Sequence, residues 1–218
     1  MNNIFFNPFV GPNYQTNGFN GVKLLILGES HYCGDQCDAC GLQSNNDCSD
    51  FTKQVINIYF EYKQGKRPHE NWMRTFTKFT NVILEKKVDN DTLIDFWDSV
   101  IFYNYVQSST KGPRIPPSHE QFEESVDGFF EVLDQYRPDL ILVWGERLWD
   151  NLHNGRWGEE NILDNENGRF YYYKVGNKEI PAYKVYHPST RYFNYSYSKY
   201  LKEAIRLVSN LKLNVGGN

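Results

Sequence analysis

The sequence predicts an α/β fold with three layers, in which a four-stranded parallel sheet lies between two layers of helices. Two observations carry this prediction. Short apolar runs bounded by polar residues recur along the chain, and amphipathic helical patterns lie between them. A chain of 218 residues is long enough for one domain with a core of its own. A small hairpin and a cysteine-rich loop are added to this plan.

Four segments are predicted to be buried strands: 23–30, 100–107, 139–145 and 183–186. The first contains Leu24-Leu25-Ile26-Leu27 and the third contains Leu140-Ile141-Leu142-Val143. Nearly continuous apolar runs of this length are typical of parallel strands that are covered on both faces. The sheet is therefore expected to be buried between helices.

Three helices are predicted from apolar residues spaced three or four apart, over 72–83, 122–133 and 198–211. The second is preceded by Ser118-His119-Glu120-Gln121, a capping-box pattern, and we expect it to end before Pro138. These helices alternate with the strands, which favours a parallel sheet.

Two regions depart from this alternation. The strand-like residues 170–175 and 178–185 are separated by Gly176-Asn177, which predicts a hairpin with a two-residue turn. The polar segment 33–48 holds all four cysteines and is expected to form a loop inserted into the domain. Because no linker rich in proline, glycine or serine divides the chain, we expect residues 1–218 to form a single domain.

Composition excludes several classes of protein. A hydrophobic content of 40% and an aromatic content of 17% exclude a disordered or collagen-like chain. No apolar run is long enough to cross a bilayer, and the first residues do not resemble a secretion signal, so we expect a cytoplasmic protein with no membrane partner. A net charge of -4 argues against nonspecific coating of nucleic acid but is compatible with a local basic groove.

The candidate site lies where the predicted strands end, since ligands of parallel α/β sheets bind beyond the carboxyl ends of the strands. Four segments occupy these positions: Gly28-Glu29-Ser30-His31-Tyr32, 104–107, Gly145-Glu146 and His187-Pro188-Ser189-Thr190. Two of them combine histidine with other polar or charged groups. A catalytic or binding site at this edge of the sheet is therefore expected.

These strand-end motifs resemble those of the uracil-DNA glycosylase superfamily, in a divergent form. His187-Pro188-Ser189 is similar to the motif that carries the family's catalytic histidine, and Gly28-Glu29 is similar to the first motif of the thermophilic-type branch. The stretch 104–120 and the third strand, which ends at Gly145, are similar in order and spacing to that branch. The resemblance covers roughly residues 23 to 205 and implies the same three-layer fold.

The sequence also departs from the family. Ser30 stands at the position of the water-activating aspartate of the best-known branch, and His31 stands at the position of that motif's proline, whereas Tyr32 matches. The thermophilic-type branch holds an iron–sulfur cluster with two cysteines upstream of the first motif, and here none lies upstream. The family's cluster is therefore not carried over to this chain.

Three residues are predicted to be catalytic: His187, Glu29 and Asn104. Cleavage of an N-glycosidic bond leaves negative charge on the base, and a neutral imidazole can donate a hydrogen bond to a base oxygen. Glu29 could position water, with Ser30 and His31 as rivals, and His31 is also a possible metal ligand. The amide of Asn104 could pair with a uracil-like edge. Structural roles stay open for all three, as a capping histidine, a loop carboxylate and a turn-stabilising asparagine.

Further residues are predicted to bind the substrate. A base must leave the stack before its glycosidic bond can be reached. Arg191 and Tyr192 could fill the gap left by the flipped base and contact phosphate, although a hydrophobic lead-in to the last helix is an equal alternative. The set is completed by Gly28, Ser30, His31, Tyr32 and Ser189. Tyr32 could wall the base pocket or pack in the core.

The cysteines Cys33, Cys37, Cys40 and Cys48 have the spacing Cys-x3-Cys-x2-Cys-x7-Cys. In a cytosolic chain, four cysteines in one polar segment favour a metal over disulfides. A structural zinc ion is the first prediction, an iron–sulfur cluster is the second, and free thiols or disulfides are the third.

The function predicted from the sequence is that of a monofunctional DNA glycosylase that flips and excises uracil or a modified base. It is expected to act as a monomer on DNA and to need no organic cofactor. The alternative is a catalytically inactive protein of the same fold that binds modified DNA or a protein partner. A different α/β hydrolase or a nucleotide-binding enzyme is disfavoured, because Gly28-Glu29-Ser30 has only one glycine and no phosphate-cradling loop is present.

Overall fold

The computed structural model describes residues 3–32, 46–110, 112, 114–152, 155–161 and 168–215. It shows a mixed α/β chain, which confirms the predicted class. In the described part of the chain, seven strands form one sheet in the order β1-β3-β2-β4-β7-β6-β5. The strands are β1 (Phe9–Val10), β2 (Leu24–Gly28), β3 (Ile101–Asn104), β4 (Leu140–Trp144), β5 (Arg156–Asn161), β6 (Arg169–Val175) and β7 (Lys178–Val185).

The four inner strands β3, β2, β4 and β7 are parallel to one another. Gly28 pairs with Asn104, Leu27 pairs with Val143, and Trp144 pairs with Val185, so the carboxyl ends of all four strands lie at one edge. Every residue of β2, β3 and β4 is buried. These strands coincide with the four apolar runs of the sequence, and the first three are shorter than the predicted segments.

The outer strands are antiparallel. β1 pairs with β3, while β6 pairs with β7 and β5 pairs with β6. The turn Gly176-Asn177 joins β6 to β7, and Val175 pairs with Lys178, as the sequence predicts. The expectation of a separate hairpin needs one correction. β7 is itself the fourth parallel strand, so the hairpin extends the central sheet instead of adding a second small unit.

Within the described ranges, seven helices cover the two faces of the sheet. On one face lie α1 (Phe51–Lys63), α2 (Met73–Ile83), α3 (Asn90–Asp98) and α7 (Ser198–Val215). On the other lie α4 (His119–Glu124), α5 (Val126–Tyr136) and α6 (Glu146–Asp150). Each face has its own hydrophobic cluster, and residues of β2 alternate between the two clusters, as the period of a strand requires.

The capping box before α4 is present: the Ser118 hydroxyl accepts a hydrogen bond from the Gln121 backbone N–H, and the Gln121 side chain accepts one from the Ser118 backbone. The prediction of a single helix after this capping box is wrong, because the helix is interrupted at Ser125, between α4 and α5. The Ser125 hydroxyl donates to the Gln121 carbonyl and accepts from the Gln107 backbone N–H. The helix is therefore interrupted where it is tied to the segment that follows β3. α5 ends at Arg137 in the left-handed conformation, directly before Pro138.

Candidate functional site

The carboxyl edge of the parallel sheet gathers the predicted site residues from three strands. Asn104 is the last residue of β3 and Gly28 is the last residue of β2, while His187 lies two residues beyond β7. With neighbouring strands about 4.8 Å apart, the β3 and β7 backbones are separated by roughly 14 Å. The ends of β2 and β4 lie between Asn104 and His187, and Asn104 is only 6% exposed.

Gly28 is required by the close approach of Asn104. A Cβ added at Gly28 would lie 2.1 Å from Asn104 Oδ1 and 3.2 Å from the Phe102 ring. The carboxamide of Asn104 therefore rests directly on the Gly28 backbone. Any larger side chain at this position would displace it.

The other end of the Asn104 amide is bound by His31. Asn104 Nδ2 lies 3.1 Å from the His31 ring nitrogens, and His31 Nε2 lies 2.8 Å from Thr52 Oγ1. A neutral imidazole offers one N–H and one lone pair, which matches a hydroxyl acceptor and an amide donor. The hydrogen bond to His31 thus fixes the orientation of the Asn104 carboxamide.

His31 itself is enclosed and only 5% exposed. The Phe6 and Phe51 rings contact it at centroid distances of 4.9 and 4.7 Å. Burial lowers the pKa of His31 from 6.5 to about 3. The ring is therefore neutral at physiological pH, and its nitrogens face Thr52 and Asn104.

Glu29 forms an ion pair that no local sequence pattern predicts. Both of its carboxylate oxygens accept hydrogen bonds from Arg147, one of them from Nε at 2.7 Å and the other from Nη2. Arg147 lies in the first turn of α6, directly after β4, and the Glu29 side chain is 17% exposed. The position of Arg147 after the third predicted strand is the signal that could have found it.

His187 is held by the loop that follows it. Its Nδ1 accepts a hydrogen bond from the Ser189 backbone N–H at 3.2 Å and lies 2.8 Å from the Ser189 hydroxyl. A nitrogen that accepts from a backbone N–H carries no proton, so the proton of the neutral ring is assigned to Nε2. The residue predicted to bind substrate, Ser189, therefore sets the tautomer of the predicted catalytic histidine.

The walls around His187 come from β4. The Trp144 ring contacts it edge-on at a centroid distance of 6.0 Å. A Cβ added at Gly145 would lie 3.4 Å from His187 Cβ, and Gly145 has a φ of +97°, a conformation that favours glycine. Trp144 and Gly145 therefore both pack against His187.

Electrostatics link His187 to the Glu29–Arg147 pair. Burial lowers the pKa of His187 below its ordinary value of 6.5, the Glu29 carboxylate raises it, and the Arg147 guanidinium lowers it. The net effect favours the neutral ring. The structure therefore brings His187 and Glu29 into one electrostatic environment, with Arg147 as a third member.

The loop after His187 exposes the residues predicted to contact DNA. Tyr192 is 55% exposed, and the Arg191 guanidinium lies over its ring at 5.0 Å. The next residue, Phe193, is buried and stacks on Phe79 of α2 at 5.7 Å. The lead-in to the last helix is thus anchored at Phe193, while Arg191 and Tyr192 remain on the surface.

The remaining predicted residues of the first motif differ in accessibility. Tyr32 is 44% exposed and forms an isolated bridge with Thr110, so it does not pack in the core. Ser30 is partly exposed. Of the three candidates for positioning water, His31 is enclosed, whereas Glu29 and Ser30 reach the surface of the site.

The predicted metal loop lies largely outside the described residues, which include neither Cys33, Cys37 nor Cys40. Cys48 lies in a 3-10 helix, Asn46–Asp50, and is disulfide-bonded. A disulfide leaves no thiolate for a metal, so a disulfide and a metal site are alternative states of Cys48. Among the described residues, no group of three or more His, Cys, Asp or Glu side chains could hold a metal ion. Zinc and an iron–sulfur cluster stay predictions.

Comparisons with known proteins give no family for this chain. No family model matches it, and a search of curated proteins finds no match. No helix within the described ranges combines the length and apolar character that crossing a membrane requires.

Proposed function

We propose that this chain is a monofunctional DNA glycosylase that resembles the uracil-DNA glycosylase superfamily and hydrolyses the N-glycosidic bond of uracil or a modified base. One observation carries the proposal. His187 is a neutral imidazole whose Nδ1 is occupied by Ser189, so that its Nε2–H is the available donor, and it shares its surroundings with the Glu29 carboxylate.

In this reaction the bond between the sugar C1′ and the base nitrogen breaks, and its electron pair stays on the base. The Nε2–H of His187 would donate to the base oxygen on which this negative charge collects. A water molecule supplies the oxygen that bonds to C1′, and Glu29 would orient it and accept its proton. The two hydrogen bonds from Arg147 hold the carboxylate in place and leave lone pairs for water.

Recognition of the base is assigned to the residues around Gly28. The amide of Asn104 would read the polar edge of the base, while His31 acts as a positioning residue that fixes the amide. Tyr32 would stand at the rim of the pocket and restrict substituents. Arg191 and Tyr192 would contact the DNA from which the base has been flipped.

The test is base release from single-stranded and duplex DNA that carries uracil, 5-hydroxymethyluracil, hypoxanthine or a bulky modified pyrimidine. We expect release from at least one substrate, and we expect His187→Ala to lower the rate by about 10²- to 10³-fold while DNA binding persists. His119→Ala is the matched control, because His119 is an exposed histidine on α4. No release from any substrate, with the chain loaded with zinc or iron, would reject the proposal for these bases.

The alternative is a protein that binds modified DNA or a protein partner without catalysis. Ser30, in place of the aspartate that activates water in the best-known branch, is the observation that favours it. Tight binding to modified DNA that yields no product and is unchanged by Glu29→Ala would support this alternative.

A further inference from the structure

A pocket of about 320 Å³ adjoins the loop that follows His187. The end of α1, the outer face of α2 and the start of the 3-10 helix Tyr195–Tyr197 form its walls. The residues that matter for its chemistry are Lys63, His69, Arg74, Lys78, Asn194 and Tyr195.

The pocket is cationic. Lys63, Arg74 and Lys78 contribute three positive charges, and none of the described residues that line the pocket carries a carboxylate. The Lys63 ammonium lies over the rings of Tyr59 and Tyr62 at 5.4 and 4.9 Å. Within the described part of the chain, the Arg74 guanidinium has no ion-pair partner. A concave surface with several cations and no counter-charge is suited to an anion.

The pocket is connected to the proposed catalytic loop by hydrogen bonds. Lys78 Nζ donates to the Thr190 carbonyl at 2.6 Å, and both the backbone N–H and the hydroxyl of Thr190 donate to the His187 carbonyl at 2.9 Å. The segment from His187 to Thr190 is therefore tied to the wall of the cationic pocket through Lys78.

Exposed tyrosines flank His187 and the loop that follows it. Tyr186 and Tyr192 contact each other at a centroid distance of 5.5 Å, and Tyr195, which lines the pocket, is 49% exposed. Aromatic faces beside a positively charged groove are the arrangement with which proteins hold single-stranded nucleic acid, since bases stack and phosphates pair with cations.

We infer that this pocket binds a backbone phosphate of the nucleic-acid strand that carries the target base, with Arg74 as its principal ligand and Lys63 and Lys78 beside it. This inference rests on the proposed function, because that function supplies the strand. Free phosphate offers the same chemistry, and the experiment separates the two sources.

The experiment measures binding of fluorescein-labelled oligothymidine by anisotropy over a series of salt concentrations. Arg74→Gln is expected to weaken binding about five- to tenfold and to reduce the salt slope by about 0.7, the loss of one phosphate contact on a single strand. Lys174→Gln is the matched control. Lys174 of β6 lies opposite Glu179 in the strand register, at the amino end of β7 and away from the carboxyl ends of the parallel strands. Its replacement is expected to leave binding unchanged.

A second arm titrates inorganic phosphate against potassium chloride of equal ionic strength. If phosphate displaces the oligonucleotide no better than chloride, the pocket takes a phosphodiester of a strand, as inferred. Arg74-dependent binding of inorganic phosphate with no change in DNA binding would overturn the inference, and so would equal affinity and slope for Arg74→Gln and wild type. Since the readout is binding, a failure to release any base would count against the proposed function alone.

Discussion

The burial of His31 predicts a specific pH dependence of the stability of the fold. In the unfolded chain His31 takes up a proton near its ordinary pKa of 6.5, but in the folded chain it does so only near a pKa of about 3. A protonated ring would turn both nitrogens into donors and would oppose the Asn104 N–H. The stability contributed by His31 is therefore complete above pH 6.5 and is lost as the pH falls toward 3.

The magnitude follows from the size of the shift. At about 1.4 kcal/mol per pH unit, the shifted pKa of His31 lowers the free energy of unfolding by roughly 3 kcal/mol at about pH 4 and by roughly 5 kcal/mol once the ring is fully protonated. Urea unfolding at a series of pH values measures it. We compare wild type with His31→Gln, whose amide can serve both Thr52 and Asn104 without titrating.

The expected result is that the unfolding free energy of wild type falls more steeply with decreasing pH than that of His31→Gln. His119→Gln removes an exposed histidine and should follow wild type. If wild type and His31→Gln lose stability in parallel between about pH 6 and pH 4, the reasoning from burial and hydrogen bonding is refuted.

Four further predictions concern the site and its supports. Gly28→Ala, which forces a Cβ against Asn104, should destabilise the fold by about 1 to 3 kcal/mol in urea, whereas Gly112→Ala, whose added Cβ would meet only ordinary contact at 3.6 Å, should not; equal effects would contradict this. Arg147→Met should raise the pKa of His187 in an NMR titration, because the Arg147 guanidinium lowers this pKa and the Glu29 carboxylate raises it. An unchanged pKa of His187 would contradict the coupling. Burial disfavours ionisation of Asp139, but hydrogen bonds from Lys178 and Lys212 outweigh this effect and hold the pKa of Asp139 below its usual range. Asp139→Asn should therefore lower the free energy of unfolding by about 2 kcal/mol at neutral pH, and by progressively less as acid protonates the wild-type carboxyl. A loss of stability that does not depend on pH would contradict this. Purified reduced protein should bind about one zinc ion per chain; elemental analysis without metal, together with four freely titratable thiols, would end the metal prediction.

The parallel strands and the hairpin turn are predictable because their signals are local. Continuous apolar runs encode buried strands, and Gly176-Asn177 encodes the turn. The sequence does not predict helix α1, and the reason is also local. Its many aromatic and β-branched residues, among them Val55, Ile58 and Phe60, favour strands by propensity and obscure the helical period.

The site is less predictable, because its geometry depends on contacts between distant parts of the chain. Glu29 and Arg147 are 118 positions apart. The enclosure of His31 depends on Phe6 from the start of the chain and Phe51 from α1, and neither has a local signature. Sequence patterns could place His31 beside the strand end, but only the packing shows that it supports Asn104 from within the core.

The protonation state of His187 tests the central claim most directly. Long-range ¹H–¹⁵N correlation spectra of the folded protein at neutral pH, assigned with His187→Gln, report which ring nitrogen carries the proton. The account predicts a neutral ring with the proton on Nε2 and a pKa below 6.5. A ring protonated on Nδ1, or an imidazolium at neutral pH, would contradict it.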